Sequence, residues 1–552
     1  MKMIKILLLS LATTMLLSSC YEDKGNYDYK DLVKVSIEIA NVKNVVLGDV
    51  LKVTPTITFS KDMSDLNLTY KWILEGDVIS TDRDLNWVAD RYTKETTDNL
   101  ILEVTDVDND IVYRAGASFS ITGKYEVDGY LILADKGGQK YLHLMRQSQD
   151  DEGNEIYLPL IDLVGVENDG EVLPVTSSKI FEHYCKQDNV YKSQVMVIAD
   201  DQTFEADGAG FKKVDYSFQD MFNGTIPLDL QNSVKDAFYM QRLDLITDKK
   251  GQLYSRVKST FEIFNSEYFI NTPVSFEGEI LKDIDIIPSS YGCNTPFCLL
   301  YDKNKERFLA IWDYQSKFDE VYVSGKIQKI PDSQYSWPEG VPTANEICKE
   351  YEIHHIESYK RDLYSPYATR YSCIVENKIT GEYYFYDFGL QKEYSGTSAY
   401  WAFTKTGNVT TVDATMKKIP DDVLPLFTNP KNVIYTLPWG QNGWCTLIAQ
   451  GSNLYVYNRK AELAGSSATT PNPRLVNFTF DGEIAIMNAN TYQSNYMGVA
   501  LKNGTFQVLD IRNISQGKCT SIWKSEPDLN LGTPLFMLFH STGNLNIDWR
   551  DD

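Results

Sequence analysis

Residues 296–312 read PFCLLYDKNKERFLAIW: an apolar run, six polar residues from Asp302 to Arg307, and a second apolar run that ends on Trp312. Each run has the length of a strand rather than a helix, and the polar residues between them carry the chemistry of a turn, so the stretch reads as an antiparallel hairpin. The same plan returns at Gly129 to Met145, Gln194 to Lys213, Gly251 to Phe264, Tyr371 to Phe388, Trp444 to Asn458 and Tyr496 to Ile511. Aromatic-rich second strands recur within it, as in Tyr383-Tyr-Phe-Tyr386 and Leu454-Tyr-Val-Tyr457. No long helical period interrupts the series. Seven hairpins across residues 124–552 give a repeat of about 60 residues, and regular strand-turn-strand units at a steady period predict a β-propeller. The repeat exceeds the roughly 40–45 residues of a compact blade, which implies insertions on one face. Seven blades are expected; six or eight, or a second sandwich, are the alternatives, because no shared Trp-Asp or Gly-His mark sets the count.

The region before the hairpins differs. Val33, Val35, Ile37 and Ile39 alternate with polar residues, and Leu51, Val53, Ile57 and Phe59 alternate again with Pro55 between them, which marks an edge strand or a break. Tyr70-Lys-Trp-Ile-Leu74 follows, then Leu100, Leu102 and Val104, an acidic turn at Asp106-Val-Asp-Asn-Asp110, and a last strand within Val112 to Ile121. This predicts a small β-sandwich over residues 32–123, with Trp72 filling the gap between its sheets. The class is therefore all-β: a sandwich, then a propeller over residues 124–552.

The first residues have the layout of an export leader. Lys2 and Lys5 precede a mostly apolar run from Ile6 to Leu17, which is too short to cross a bilayer. Residues 1–19 are read as a signal peptide and residues 20–31, polar and poor in aliphatic side chains, as a tether. Leu17-Ser-Ser-Cys20 resembles the lipobox of bacterial lipoproteins; the alternative is an ordinary secretory leader with a chance cysteine. The lipobox reading makes Cys20 the lipidated mature N-terminus, with several acyl chains holding a soluble body to a membrane.

The Tyr-x-Trp strand, the Leu100-x-Leu-x-Val motif and the acidic turn that follows it resemble the PKD-like immunoglobulin-type domains that begin many Bacteroidota surface lipoproteins. That resemblance implies an accessory lipoprotein of the outer membrane, found with a TonB-dependent transporter and its lid-like partner lipoprotein, in a system that captures glycans or peptides. Glu22 and Asp23 resemble the acidic signal that sends such lipoproteins to the cell exterior.

Composition excludes other classes. Lysine and arginine total 53 against 76 acidic residues, a formal charge of -23, and loss of the leader takes it to about -25. Such a surface repels phosphate backbones, so no nucleic-acid partner is expected. Eight cysteines without a C-x-x-C pair indicate neither a zinc framework nor a disulfide framework. Cys293 and Cys298 are spaced to close a loop in an oxidising compartment, an alternative to free thiols.

Catalytic and cofactor signatures are missing from the sequence. The five histidines show no H-E-x-x-H or H-x-x-x-H spacing, and adjacent His354 and His355 would face opposite ways on a strand, so no metal ligand set is assigned. There is neither a nucleophile elbow nor a phosphate loop, and no cofactor is expected. Asp106, Asp108 and Asp110 open like a calcium loop, but Ile111 stands where glycine is needed and Ala117 where a bidentate glutamate is needed, so they read as a hairpin turn. Glycoside hydrolysis needs only two suitably spaced carboxylates, which keeps a surface hydrolase of glycosidase or peptidase type as the alternative function. Binding has better candidates. Trp337, Tyr400, Trp401, Trp439 and Trp444 lie in or beside polar turns, where flat rings can stack on sugars or peptides; the competing role of each is to seal a gap between blades.

Overall fold

The computed structural model describes residues 34–540, apart from 40–41, 43–44, 61–66, 92–98, 151, 188–189, 201–202, 209, 214–219, 229, 231–233, 241, 258–267, 291–294, 314, 317–320, 332–336, 361–367, 393, 396–401, 404–408, 439–443, 460–472 and 490–494. The chain divides into two compact units at Ile121/Thr122.

The first unit is a β-sandwich. Asp77–Ser80, Leu68–Leu74, Leu100–Asp106 and Ile111–Ala117 form one antiparallel sheet in that order. Val35–Glu38 pairs with Thr56–Phe59, and Val50–Val53 with Leu85–Val88. Every second residue of Leu100–Asp106 is buried, as strand periodicity requires of a one-sided core. Trp72 is fully buried, paired in register with Leu102, and its indole N–H is directed at the carbonyls of Asp82 and Arg83 at 3.1 and 3.2 Å. Asp106 closes the acidic turn, accepting the backbone N–H and the side-chain amide of Asn109 at 3.3 and 2.7 Å.

The second unit is a seven-bladed β-propeller, counted on the described residues. Blade 1 holds Gly129–Lys136, Gln139–Gln149 and Glu155–Leu160; blade 2, Lys179–Gln187, Val190–Ile198 and Phe204–Asp207; blade 3, Val234–Tyr239, Leu243–Asp248 and Leu253–Val257. Blade 4 holds Ile284–Ile287, Phe297–Asp302, Arg307–Trp312 and Ile327–Lys329; blade 5, Tyr351–Lys360, Ala368–Asn377, Tyr383–Lys392 and Val409–Lys418. Blade 6 holds Val433–Thr436, Cys445–Gln450, Asn453–Asn458 and Phe478–Thr479; blade 7, Ile484–Ala489, Tyr496–Leu501, Phe506–Asp510 and Thr520–Lys524. The last described strand, Thr533–His540, pairs antiparallel with Gly129–Lys136 and becomes the innermost strand of blade 1. It closes the ring, which leaves no free edge between the first and last blades.

Two observations establish closure. The innermost strands of successive blades lie side by side in an unbroken cycle, from Thr533–His540 through blades 2 to 7 and back. Seven apolar clusters also fill the seven seams between neighbouring blades. Strand periodicity explains how one strand serves two seams: Met497, Val499 and Leu501 face blade 6 while Ala500 faces blade 1. Polar contacts tie the inner strands across six of the seams. Among them are Lys235 with Asp285 at 2.6 Å, the Ser358 hydroxyl to the Pro288 carbonyl at 2.8 Å, and the Ala489 N–H to the Tyr435 hydroxyl at 2.9 Å. Lys179 with Asp236, the Thr436 N–H with Glu357, and His540 with Glu182 complete the set.

Six of the seven expected hairpins coincide with the second and third strands of a blade. The exception is blade 3, where the pair is Leu243–Asp248 with Leu253–Val257 rather than Gly251 to Phe264. Its second strand is Leu-Asp-Leu-Ile-Thr-Asp, and both aspartates are buried: Asp244 in an ion pair with Arg256 at 2.7 Å, and Asp248 accepting the N–H groups of Lys250 and Gln252. Buried charge breaks the apolar run that marks a strand. Four of the blades also share a mark that sequence reading missed. Asp135, Asp248, Asp302 and Asn377, at or next to the end of a second strand, each accept turn N–H groups with a side-chain oxygen. Cys298 is a buried thiol directed at the Ile287 carbonyl at 3.3 Å, and Cys293 lies outside the described residues.

Candidate ligand-binding face between blades 5 and 6

Because neighbouring strands of a blade are antiparallel, connections from second to third strands all emerge on one face, and those from first to second and third to fourth strands on the other. The former are tight turns. The latter span more residues in blades 5 and 6, and the described strand ends they join, Lys360, Ala368, Thr436 and Cys445 among them, form the rim of the seam between these two blades.

Trp444 sits on that rim, just before the second strand of blade 6, and is half-buried. Period-2 alternation delivers the groups around it. Arg370 and Asp387 face blade 6 from the second and third strands of blade 5, and Thr446 faces back from blade 6. The Arg370 guanidinium lies 5.3 Å from the centroid of the Trp444 ring, and Tyr359 packs at 5.9 Å between centroids. Arg370 is itself held by the Tyr359 hydroxyl at 3.1 Å and by Asp413 at 2.7 Å. Below it, Arg459 grips Asp387 through Nε and Nη2 at 3.1 to 3.3 Å and donates to the Thr446 hydroxyl at 2.6 Å; the Tyr359 hydroxyl donates to Asp387 at 3.1 Å. The Arg459 N–H also donates to the Trp444 carbonyl at 2.9 Å, fixing the backbone that carries the indole.

Burial works against the charge on Arg459, but Asp387 and Tyr359 outweigh it and hold the guanidinium proton above its usual range. Burial and the nearby Asp387 charge push the Tyr359 hydroxyl up, so it stays a donor. Two arginines face two aspartates. Among the described residues the formal charges of these four balance, and Trp444 is a half-buried, braced ring with polar groups around it. Such a surface suits a neutral polar ligand with a flat face.

The other candidate rings do not join Trp444. Trp337 lies between blades 4 and 5 on the tight-turn face, half-buried against the seam and bonded through its indole N–H to the Val341 carbonyl at 2.7 Å. Tyr400, Trp401 and Trp439, like Cys20, Glu22 and Asp23, lie outside the described residues. His354 and His355 do face different partners: His354 approaches Glu376 and His355 approaches Glu357. Sequence reading missed Arg370, Tyr359, Asp387 and Arg459. For the two arginines and the aspartate the linear signal is a charged residue inside or just after an apolar strand, and Tyr359 carries none. No helix among the described residues is long and apolar enough to cross a membrane.

Three solved structures illustrate the similarity of the chain to known folds. They are the dihydro-heme d1 dehydrogenase NirN in complex with DHE (10% identity, 88% of this chain and 77% of that one, TM-score 0.31), apo AztD from Citrobacter koseri (8%, 86% and 99%, 0.31) and Kap60 bound to yeast RCC1 (10%, 74% and 84%, 0.33). At these values they carry no argument, and the propeller assignment rests on the ring of sheets. No match was found among curated proteins. The model of the PKD-like family matches residues 20–160. This match begins at Cys20, spans the sandwich and extends through Glu155–Leu160 of blade 1. Residues 20–160 are thus similar to the PKD-like family.

Proposed function

We propose that this protein is a non-catalytic surface lipoprotein that captures a glycan or peptide on the long-connection face of its propeller and serves a TonB-dependent nutrient-uptake system. The braced, half-exposed Trp444 carries the binding part of the reading. A ring whose position is set by Arg370, Tyr359 and its own hydrogen-bonded carbonyl loses little freedom when a ligand stacks on it. Asp387 and Asp413, the carboxylates of the cluster, are each committed to an arginine, which favours binding over hydrolysis here. The location rests on Cys20 as lipid attachment point and on Glu22 and Asp23 as export signal; the transporter and its lid lipoprotein as partners rest on the family resemblance of residues 20–160.

The test is tryptophan fluorescence of the mature chain titrated with a panel of oligosaccharides and peptides, in parallel with a pull-down of the tagged lipoprotein from outer membranes. A saturable change that disappears in Trp444→Ala, with a transporter retained on the beads, is the expected result. Absence of both ligand response and membrane-protein partner overturns it.

A further inference from the structure

On the tight-turn face, at the opposite rim of the seam between blades 5 and 6, the first strand of blade 5 carries Glu352 and His354 and the second carries Glu376. The ligand atoms of these three side chains all lie within 4.8 Å of one another. His354 Nε2 is 2.8 Å from Glu376 Oε2. The same carboxylate oxygen accepts the Tyr383 hydroxyl at 2.6 Å, and the Tyr383 ring stacks on the imidazole at 5.3 Å between centroids.

Two features of the backbone are unexplained by the needs of the sheet. Glu352 and Glu376 stand directly opposite each other in the strand register, a like-charge pairing that destabilises a sheet unless a cation lies between the carboxylates. The pairing then slips between Ile353 and His355, so that His354 is the extra residue of a bulge. Bulges re-aim a side chain at the cost of ladder hydrogen bonds. Here the slip delivers His354 to the carboxylates.

We propose that Glu352, His354 and Glu376 form a binding site for a first-row divalent cation of the zinc class. One imidazole nitrogen with two carboxylate oxygens is a donor set of that class, whereas calcium and magnesium prefer oxygen throughout. Metal–ligand distances of about 2.0–2.2 Å let one ion touch atoms up to about 4.2 Å apart, so small rotations of the exposed Glu352 and the half-buried Glu376 close the set. Tyr383 is the outer partner that orients Glu376, as such groups do around bound metals. Three protein ligands leave one position for water. The site is distinct from the Trp444 face and independent of the ligand proposed there.

The experiment uses the full mature chain, stripped with a chelator and dialysed. Zinc is titrated calorimetrically and against a chromogenic chelator, with magnesium and calcium as parallel probes. The expected result is one equivalent of zinc at micromolar affinity and a rise in Tm, with little response to magnesium or calcium. His354→Ala and Glu376→Gln should each weaken binding at least about tenfold, with the Tm of the metal-free protein nearly unchanged because both side chains are partly exposed. Glu382→Gln, whose carboxylate pairs with Lys418, should bind as the parent chain does. Absence of a stoichiometric equivalent, or zinc binding that survives His354→Ala unchanged, overturns the proposal.

Discussion

His540 Nδ1 lies 3.0 Å from the Glu182 carboxylate, and both side chains are buried, joining the last described strand to the first strand of blade 2. Nε2–H donates to the Tyr125 carbonyl at 2.8 Å. Burial pulls the imidazole pKa down, but the Glu182 charge and these bonds outweigh it and raise it to about 9. A raised folded-state pKa contributes stability that is fully present below the unfolded value of about 6.5 and is lost as pH rises through about 9. Urea midpoints should therefore fall between pH 6.5 and 9.5. His540→Gln should flatten that limb and cost about 3 kcal/mol near pH 6, because Glu182 is left buried without its cation.

His143 in the same blade titrates the other way. Its Nδ1 accepts the Asp162 N–H at 3.1 Å and its Nε2–H donates to the Leu531 carbonyl at 3.0 Å, a pattern only the neutral ring can make. Burial drives its pKa down to about 4. The stability tied to this neutral ring is present above about pH 6.5 and lost as pH falls through 4. Equilibrium unfolding from pH 7 to 4 should show this loss, with a shallower slope in His143→Gln.

Arg459 and Asp387 join blades 5 and 6 inside the seam. Replacing either partner alone leaves a buried charge, so Arg459→Ala and Asp387→Ala should each destabilise the propeller by about 3–5 kcal/mol in chemical denaturation. The double variant should cost less than the sum, which a double-mutant cycle reads directly.

Gly251 turns the hairpin of blade 3 at φ +69°, and its carbonyl accepts the Ile284 N–H of blade 4 at 3.1 Å. An added Cβ would sit 2.5 Å from that nitrogen, with the backbone of Asp283 equally close. Gly251→Ala should therefore lower Tm by several degrees through a loss of roughly 1–3 kcal/mol, whereas Gly340→Ala, also at positive φ but in open space, should cost less.

Trp444→Ala should weaken ligand binding at least about tenfold in the fluorescence or calorimetric titration, about 1.4 kcal/mol, while shifting Tm only slightly because the ring is half-exposed. Trp72→Ala in the sandwich should do the reverse. It should cost about 3–5 kcal/mol in that unit and leave ligand binding unchanged.

Local order along the chain was enough to read the class, the sandwich motif around Trp72 and the hairpins of six blades, since strand periodicity and turn chemistry act over a few residues. The blade 3 hairpin escaped because Asp244 and Asp248 are buried carboxylates, the first held by Arg256 across a strand pair and the second by the turn N–H groups of Lys250 and Gln252. The same reason hid the surroundings of Trp444. Arg370, Asp387, Asp413 and Arg459 are spread over ninety residues and are brought together by the seam between two blades. Trp337 and Trp444 look alike as aromatic residues beside turns, yet they stand on opposite faces of the ring. Patterning along the chain states which side of a strand is apolar. Which strand it meets, and which end of the blade a loop leaves from, depends on closure by Thr533–His540, a contact between residues about four hundred positions apart.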